Sequence, residues 1–147
     1  SPIVTNILLV LSKIIPTAKL AFTTKKMGSE TVINNDFLDA KEKCVYGYKG
    51  AHRLGTVREL LKISLWLPLN VKTMNYPCLF FHGLHDKITT PSGSIESFKK
   101  IPNENKELVI FPDSEHCLLV QDNSDDLTPN YILVKSLDWL NSQKIEN

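Results

Sequence analysis

Residues 76–147 alternate between short apolar runs and segments of helical period, and this alternation restricts the folds open to the chain more than any other feature. Cys78–His82 reads as a strand, Ser92–Lys100 as a helix, Leu108–Phe111 as a second strand and Asn130–Ser142 as a second helix. Such a succession predicts right-handed parallel βαβ units. The run Pro77–Gly83 is apolar on both faces, which in a parallel sheet calls for strands alongside and helices above and below. Two strands are too few to close the edges of such a sheet. The chain is therefore expected to be the C-terminal portion of a larger α/β protein.

Both strands lead into loops that carry reactive side chains. The first continues as His82-Gly83-Leu84-His85-Asp86-Lys87-Ile88-Thr89-Thr90-Pro91, the second as Pro112-Asp113-Ser114-Glu115-His116-Cys117. Asp86 and His116 are therefore expected on loops at the ends of adjacent parallel strands. An ionised carboxylate bonded to one ring nitrogen fixes a histidine's tautomer and leaves the other nitrogen free to take a proton from a nucleophile. The pair reads as the second and third members of a Ser-Asp-His triad. A catalytic serine on a strand-to-helix elbow reads G-x-S-x-G and precedes the acid and the histidine in the chain. No G-x-S-x-G occurs in the 147 residues, and Ser29, Ser92, Ser94 and Ser97 lack the paired glycines. The nucleophile is expected upstream of Ser1. His82 is expected to point its ring into the packing of the sheet and His85 to face solvent. These histidines with Asp86 and His116 lack the usual zinc-ligand spacing, so no metal is expected.

Residues 1–75 show helical patterns and no strong strand. In Ile3–Ile15 the apolar positions 3, 7, 8, 11, 14 and 15 follow the 3.6-residue period, and Pro16 ends the run. Thr31–Ala40 is weakly helical. Beyond Gly50, Thr56–Leu67 reads as a helix with Thr56 at the N-cap and Glu59 completing a capping box, its apolar face being Val57, Leu60, Leu61 and Leu65. Arg53 and Arg58 read as ion-paired surface residues, with a substrate head group as the other option. The acidic stretch Asp122–Asp126 is a solvated loop, and Pro129 suits the first turn of the last helix. The chain thus divides into a helical region, 1–75, and a β-α-β-α region, 76–147.

Charge and cysteine usage narrow the function classes. Seventeen basic against sixteen acidic residues give no polyanion-binding face, so no nucleic-acid partner is expected. Cys44, Cys78 and Cys117 form no metal or redox spacing and read as reduced thiols, which suits a cytoplasmic or membrane-surface location. Ile3–Ile15 is interrupted by Thr5, Asn6, Ser12 and Lys13 and falls short of the roughly twenty apolar residues that a membrane span needs.

Four features carry a family likeness: H-G-x-x-D-x-x-x-x-P (His82, Gly83, Asp86, Pro91), the strand and loop leading to His116, G-x-x-R-x-x-T (Gly50, Arg53, Thr56), and the closing Ser136-Leu137-Asp138-Trp139-Leu140. On these the chain resembles the monoacylglycerol lipase and lysophospholipase group of α/β hydrolases, including the plant caffeoylshikimate-esterase-like members. The resemblance implies that residues 1–75 are a helical cap, or lid, and that 76–147 are the last strands and helices of the core sheet. It implies a serine hydrolase of carboxylic esters with Asp86 as triad acid and His116 as base, acting on a small lipid or ester without a cofactor. The partner it implies is the missing N-terminal half of the same protein, without which the fragment would be inactive. Location would be cytoplasmic, with peripheral membrane contact through the cap left open. Asp113 stands where the family frequently has glycine, a position expected to need a positive φ that aspartate tolerates. Other readings are a non-catalytic binding protein of the same fold, an esterase for hydroxycinnamate-type esters, and a haloalkane- or epoxide-opening enzyme with an aspartate nucleophile.

Overall fold

The computed structural model describes residues 2–20, 39–40, 42–48, 50–120 and 125–143. Helix α1 (Pro2–Ile14) stops where Pro16 disfavours helical backbone at the preceding residue. The chain then forms an antiparallel bridge between Lys19 and Arg53. The backbone N–H of Leu54 donates to the Ala18 carbonyl (2.9 Å) and that of Gly55 to the Pro16 carbonyl (2.8 Å). These bonds satisfy donors that a helix start leaves open. Helix α2 (Leu54–Asn70) accordingly begins two residues before the expected Thr56, with Arg53 at the N-cap and no side-chain cap bond. The capping box does not form, because Thr56 lies inside the helix and not at its N-cap, and Glu59 pairs with Arg58 (2.6 Å) and Lys62 (3.2 Å). Helix α2 also runs past Leu67, accommodating Pro68, and passes into a 3-10 turn, Val71–Thr73, whose Val71 is fully buried.

Arg58 ties the two helices together. Its Nη1 donates to the carbonyl of Ser12 in the last turn of α1 (3.1 Å), where helix carbonyls lack partners and the macrodipole favours a cation. The weakly helical stretch Thr31–Ala40 lies outside the described residues except for 39–40, which are helical.

The sheet consists of β1 (Cys78–Gly83) and β2 (Lys106–Phe111), paired in parallel from Cys78 opposite Lys106 to Gly83 opposite Phe111. Side chains alternate between its faces. Phe80 meets Phe98 of α3 (Pro91–Lys100) edge to face at 6.3 Å, and His82, on the same face, meets Ser94. On the opposite face Phe81 stacks beside Phe111, which meets Tyr131 of α4 (Thr128–Ser142) at 5.8 Å. One helix therefore covers each face, as the two-sided apolarity of β1 requires. The acidic loop is described only from Asp125, and Asp126 Oδ1 accepts the Thr128 N–H at 2.9 Å to open α4, with Pro129 in its first turn.

Apart from β2, β1 has no strand neighbour among the described residues. Beside it lies an open apolar groove of about 430 Å³ lined by Leu79, Phe81, Trp139 and Leu140 among others. Leu133, Leu137 and Leu140 of α4 and Trp66 and Leu69 of α2 are exposed.

Candidate active site

Parallel pairing brings the C-terminal ends of β1 and β2 to the same edge of the sheet, the edge at which open α/β sheets build their sites. Gly83 ends β1, and a Cβ placed there would run into the carbonyl oxygens of Ser114 and Glu115. The glycine is needed for this close approach and not for its φ, which is not positive. Two backbone bonds then join the loops: the N–H of Leu84 to the Phe111 carbonyl (2.8 Å) and that of His85 to the Ser114 carbonyl (3.0 Å). Asp113 does not adopt the positive φ expected of it, since among the described residues none does.

Asp86 turns back under this junction and is buried. Its Oδ1 accepts the N–H groups of Ile88 (2.8 Å) and Thr89 (2.9 Å), a side-chain-closed turn. Its Oδ2 accepts the Thr89 hydroxyl (2.8 Å) and the Nδ1–H of His116 (2.8 Å). Burial pushes the carboxyl pKa up, but the bonds from His116, from the amide and hydroxyl of Thr89 and from the Ile88 amide outweigh it and hold it at about 2. At neutral pH Asp86 is a carboxylate and can only accept, so the hydrogen between the two residues belongs to His116 Nδ1. In the neutral ring Nε2 then carries the lone pair, and among the described residues it has no hydrogen-bond partner. The His116 side chain is 37% exposed while that of Asp86 is 4% exposed. The arrangement is a buried anion orienting a solvent-facing imidazole, which can take a proton from a hydroxyl placed at Nε2 and return it.

The other histidines separate. His85 is exposed. The His82 ring is largely buried in the sheet packing as expected, but it also bonds through both nitrogens and approaches Asp86 Oδ2 at 3.2 Å. Arg53 is exposed, and Arg58 serves the helix pair. Among the described residues Cys44, Cys78 and Cys117 form no disulfide. Among the described residues no group of three or more His, Cys, Asp or Glu side chains could hold a metal ion, and no helix is long and apolar enough to cross a membrane. Sequence reasoning passes over Gly83 as a contact residue, Thr89 as a double partner of Asp86, and Ser94. An aspartate followed three residues later by threonine at a loop-to-helix boundary is the available signal for Thr89.

A family model described as serine aminopeptidase, S33 matches residues 1–123. Caffeoylshikimate esterase of Arabidopsis thaliana is 27% identical over 96 residues, which is 65% of this chain and 28% of that protein. A soluble variant of the monoglyceride lipase of Saccharomyces cerevisiae, solved with a substrate analog, superposes with a TM-score of 0.76 at 17% identity, covering 94% of this chain and 48% of that one. The monoacylglycerol lipase of Paleococcus ferrophilus superposes with a TM-score of 0.79 at 16% identity, covering 95% of this chain and 52% of that one. The chain thus spans about half the length of these solved structures, and the likeness to them is one of fold.

Proposed function

We propose, from the premise that this chain belongs to the serine aminopeptidase, S33 family of α/β hydrolases, that it is the acid- and base-bearing part of a carboxylic ester hydrolase of monoacylglycerol lipase or lysophospholipase type. The observation that carries the reading is the 2.8 Å bond from His116 Nδ1 to buried Asp86, which leaves Nε2 without a partner among the described residues on a side chain that is partly exposed. In this mechanism a serine from sequence outside these 147 residues loses its proton to His116 Nε2 as it attacks the ester carbonyl. His116 then passes that proton to the departing alcohol, and water repeats the cycle on the acyl-enzyme. Asp86 holds the ring and stabilises the imidazolium without itself taking the proton.

Residues 1–75 act as the cap over the acyl portion of the substrate, and residues 76–147 as the closing part of the core. The exposed apolar side chains of α2 and α4 and the groove beside β1 support this division, since faces of that kind are covered in a complete fold or meet lipid. Three cysteines outside any disulfide support a reducing, cytoplasmic compartment, and the exposed apolar residues Ile7, Val10, Ile14, Trp66 and Leu69 of α1 and α2 support peripheral membrane contact through the cap. A hydroxycinnamate ester is the second candidate substrate, on the likeness to caffeoylshikimate esterase. The test is to label the full-length protein with a fluorophosphonate serine-hydrolase probe and to assay monoacylglycerols, lysophospholipids and caffeoyl esters in parallel. Covalent labelling with turnover in one ester class is expected, and absence of both would overturn the reading.

A further inference from the structure

We propose that His82 and Ser94 are positioning residues for Asp86, a role that rests on the esterase reading above. The Thr89 carbonyl oxygen lies 2.7 Å from His82 Nε2. A carbonyl only accepts, so Nε2 carries the ring hydrogen. In the neutral ring Nδ1 is then an acceptor, and the Ser94 hydroxyl, 2.7 Å away, donates to it. The serine thus selects the tautomer, and the tautomer aims an N–H at the Thr89 carbonyl, with Asp86 Oδ2 3.2 Å from the same nitrogen.

His82 acts on the acid twice. Its Nε2, the nitrogen that carries the hydrogen, lies 3.2 Å from Oδ2, the oxygen that also receives His116. It also pins the carbonyl of Thr89, the residue whose amide and hydroxyl grip the two carboxylate oxygens. Strand β1, helix α3 and the intervening loop therefore converge on one oxygen. Packing alone does not call for imidazole here: the residue opposite in β2 is Ile110, and Phe80 on the same face of β1 packs against α3 as a plain hydrocarbon. With its ring 11% exposed and both nitrogens committed, His82 is not placed to exchange protons with a substrate. Its effect is on the direction of the carboxylate, and through it on the His116 ring.

The test uses the full-length protein and its His82→Leu, His82→Gln and Ser94→Ala variants, with 4-nitrophenyl butyrate as the assay ester. The glutamine amide nitrogen reaches the place of Nε2 and keeps a donor there, while leucine removes it. His82→Leu is expected to lower kcat about tenfold with KM unchanged, the low end of what removing an orienting partner costs at histidine-centred sites. Ser94→Ala, on half-buried α3, is expected to lower it less, and His82→Gln to restore most of it. The downfield proton resonance of His116 Nδ1–H, assigned by its loss in His116→Ala, should broaden in His82→Leu and Ser94→Ala and persist in His82→Gln. An unchanged resonance and unchanged kcat in the leucine variant would overturn the proposal. Should that variant not fold, an unchanged resonance in Ser94→Ala overturns it equally. A wild type that binds no probe and turns over no ester sinks the hydrolase reading alone, because the resonance comparison still judges the pair.

Discussion

His116 Nδ1 lies 2.8 Å from Asp86 Oδ2, and the contact joins a half-exposed imidazole to a carboxylate that is almost wholly buried. The asymmetry matters. The acid is fixed by four further donors or near-donors from residues 82–89, so the histidine is the only member of the pair that faces outward.

Replacing Asp86 by Asn in the full-length protein is expected to lower kcat for ester hydrolysis about 10⁴-fold, because an amide no longer dictates the His116 tautomer. His116→Ala should lower it at least as far, since no base remains to accept the serine proton. Single-turnover and steady-state rates on the preferred ester measure both. Wild-type turnover in either variant would remove that residue from the mechanism.

The same carboxylate predicts an acid-sensitive stability term. Its pKa stands at about 2 in the fold against an ordinary 3.8, so the folded state binds its proton less tightly than the unfolded chain does. The sign follows: the contribution, about 2 kcal/mol, is complete above pH 3.8 and is lost as pH falls from there through about 2. Denaturant titrations of wild type and Asp86→Asn at stepped pH should show their stability difference shrinking across that window and constant above it. A difference independent of pH down to 2 would contradict the assignment.

Two glycines should respond oppositely to alanine. Gly83→Ala places a methyl group against the carbonyl oxygens of Ser114 and Glu115, and the expected loss is about 1–3 kcal/mol together with a fall in kcat as the loops part. Gly93 lies in α3, where an added methyl group would meet nothing within 4 Å, so Gly93→Ala should stabilise by about 0.5–1 kcal/mol and leave kcat unchanged. Thermal melts with parallel assays distinguish the two cases. Equal effects at both positions would show that the contact at Gly83 relaxes without consequence.

Arg58→Ala should loosen the end of α1 without altering chemistry. It removes the cation that donates to the Ser12 carbonyl, at an expected cost of about 1 kcal/mol. Hydrogen exchange of the amides at the end of α1 should accelerate while that of β1 and β2 stays as in wild type. Uniform exchange across the chain would show that the bond is dispensable.

The sheet is legible in the sequence because its chemistry is local. Phe80, Phe81, Val109 and Ile110 make continuous apolar runs, and loop residues at their ends share one edge once the strands are parallel. That is why Asp86 and His116 can be paired from sequence. The start of α2 is not legible, since Leu54 and Gly55 find their partners at Ala18 and Pro16, far off in the chain, and this tertiary bonding displaces the local signal of Thr56 and Glu59. Thr89 and Ser94 escape notice for a related reason. A threonine and a serine near a helix start look like caps, and only the fold shows that one serves a carboxylate and the other a ring nitrogen.

The absent side chain at Gly83 has a bearing on engineering. With no methyl group between them, the two loops interlock as one piece, their backbones bonded next to the contact through Leu84 and His85. A chimera that exchanged only the histidine-bearing loop would bring in a foreign backbone against the unchanged partner. Transplants between homologous scaffolds should therefore move residues 82–91 and 111–116 as a single cassette.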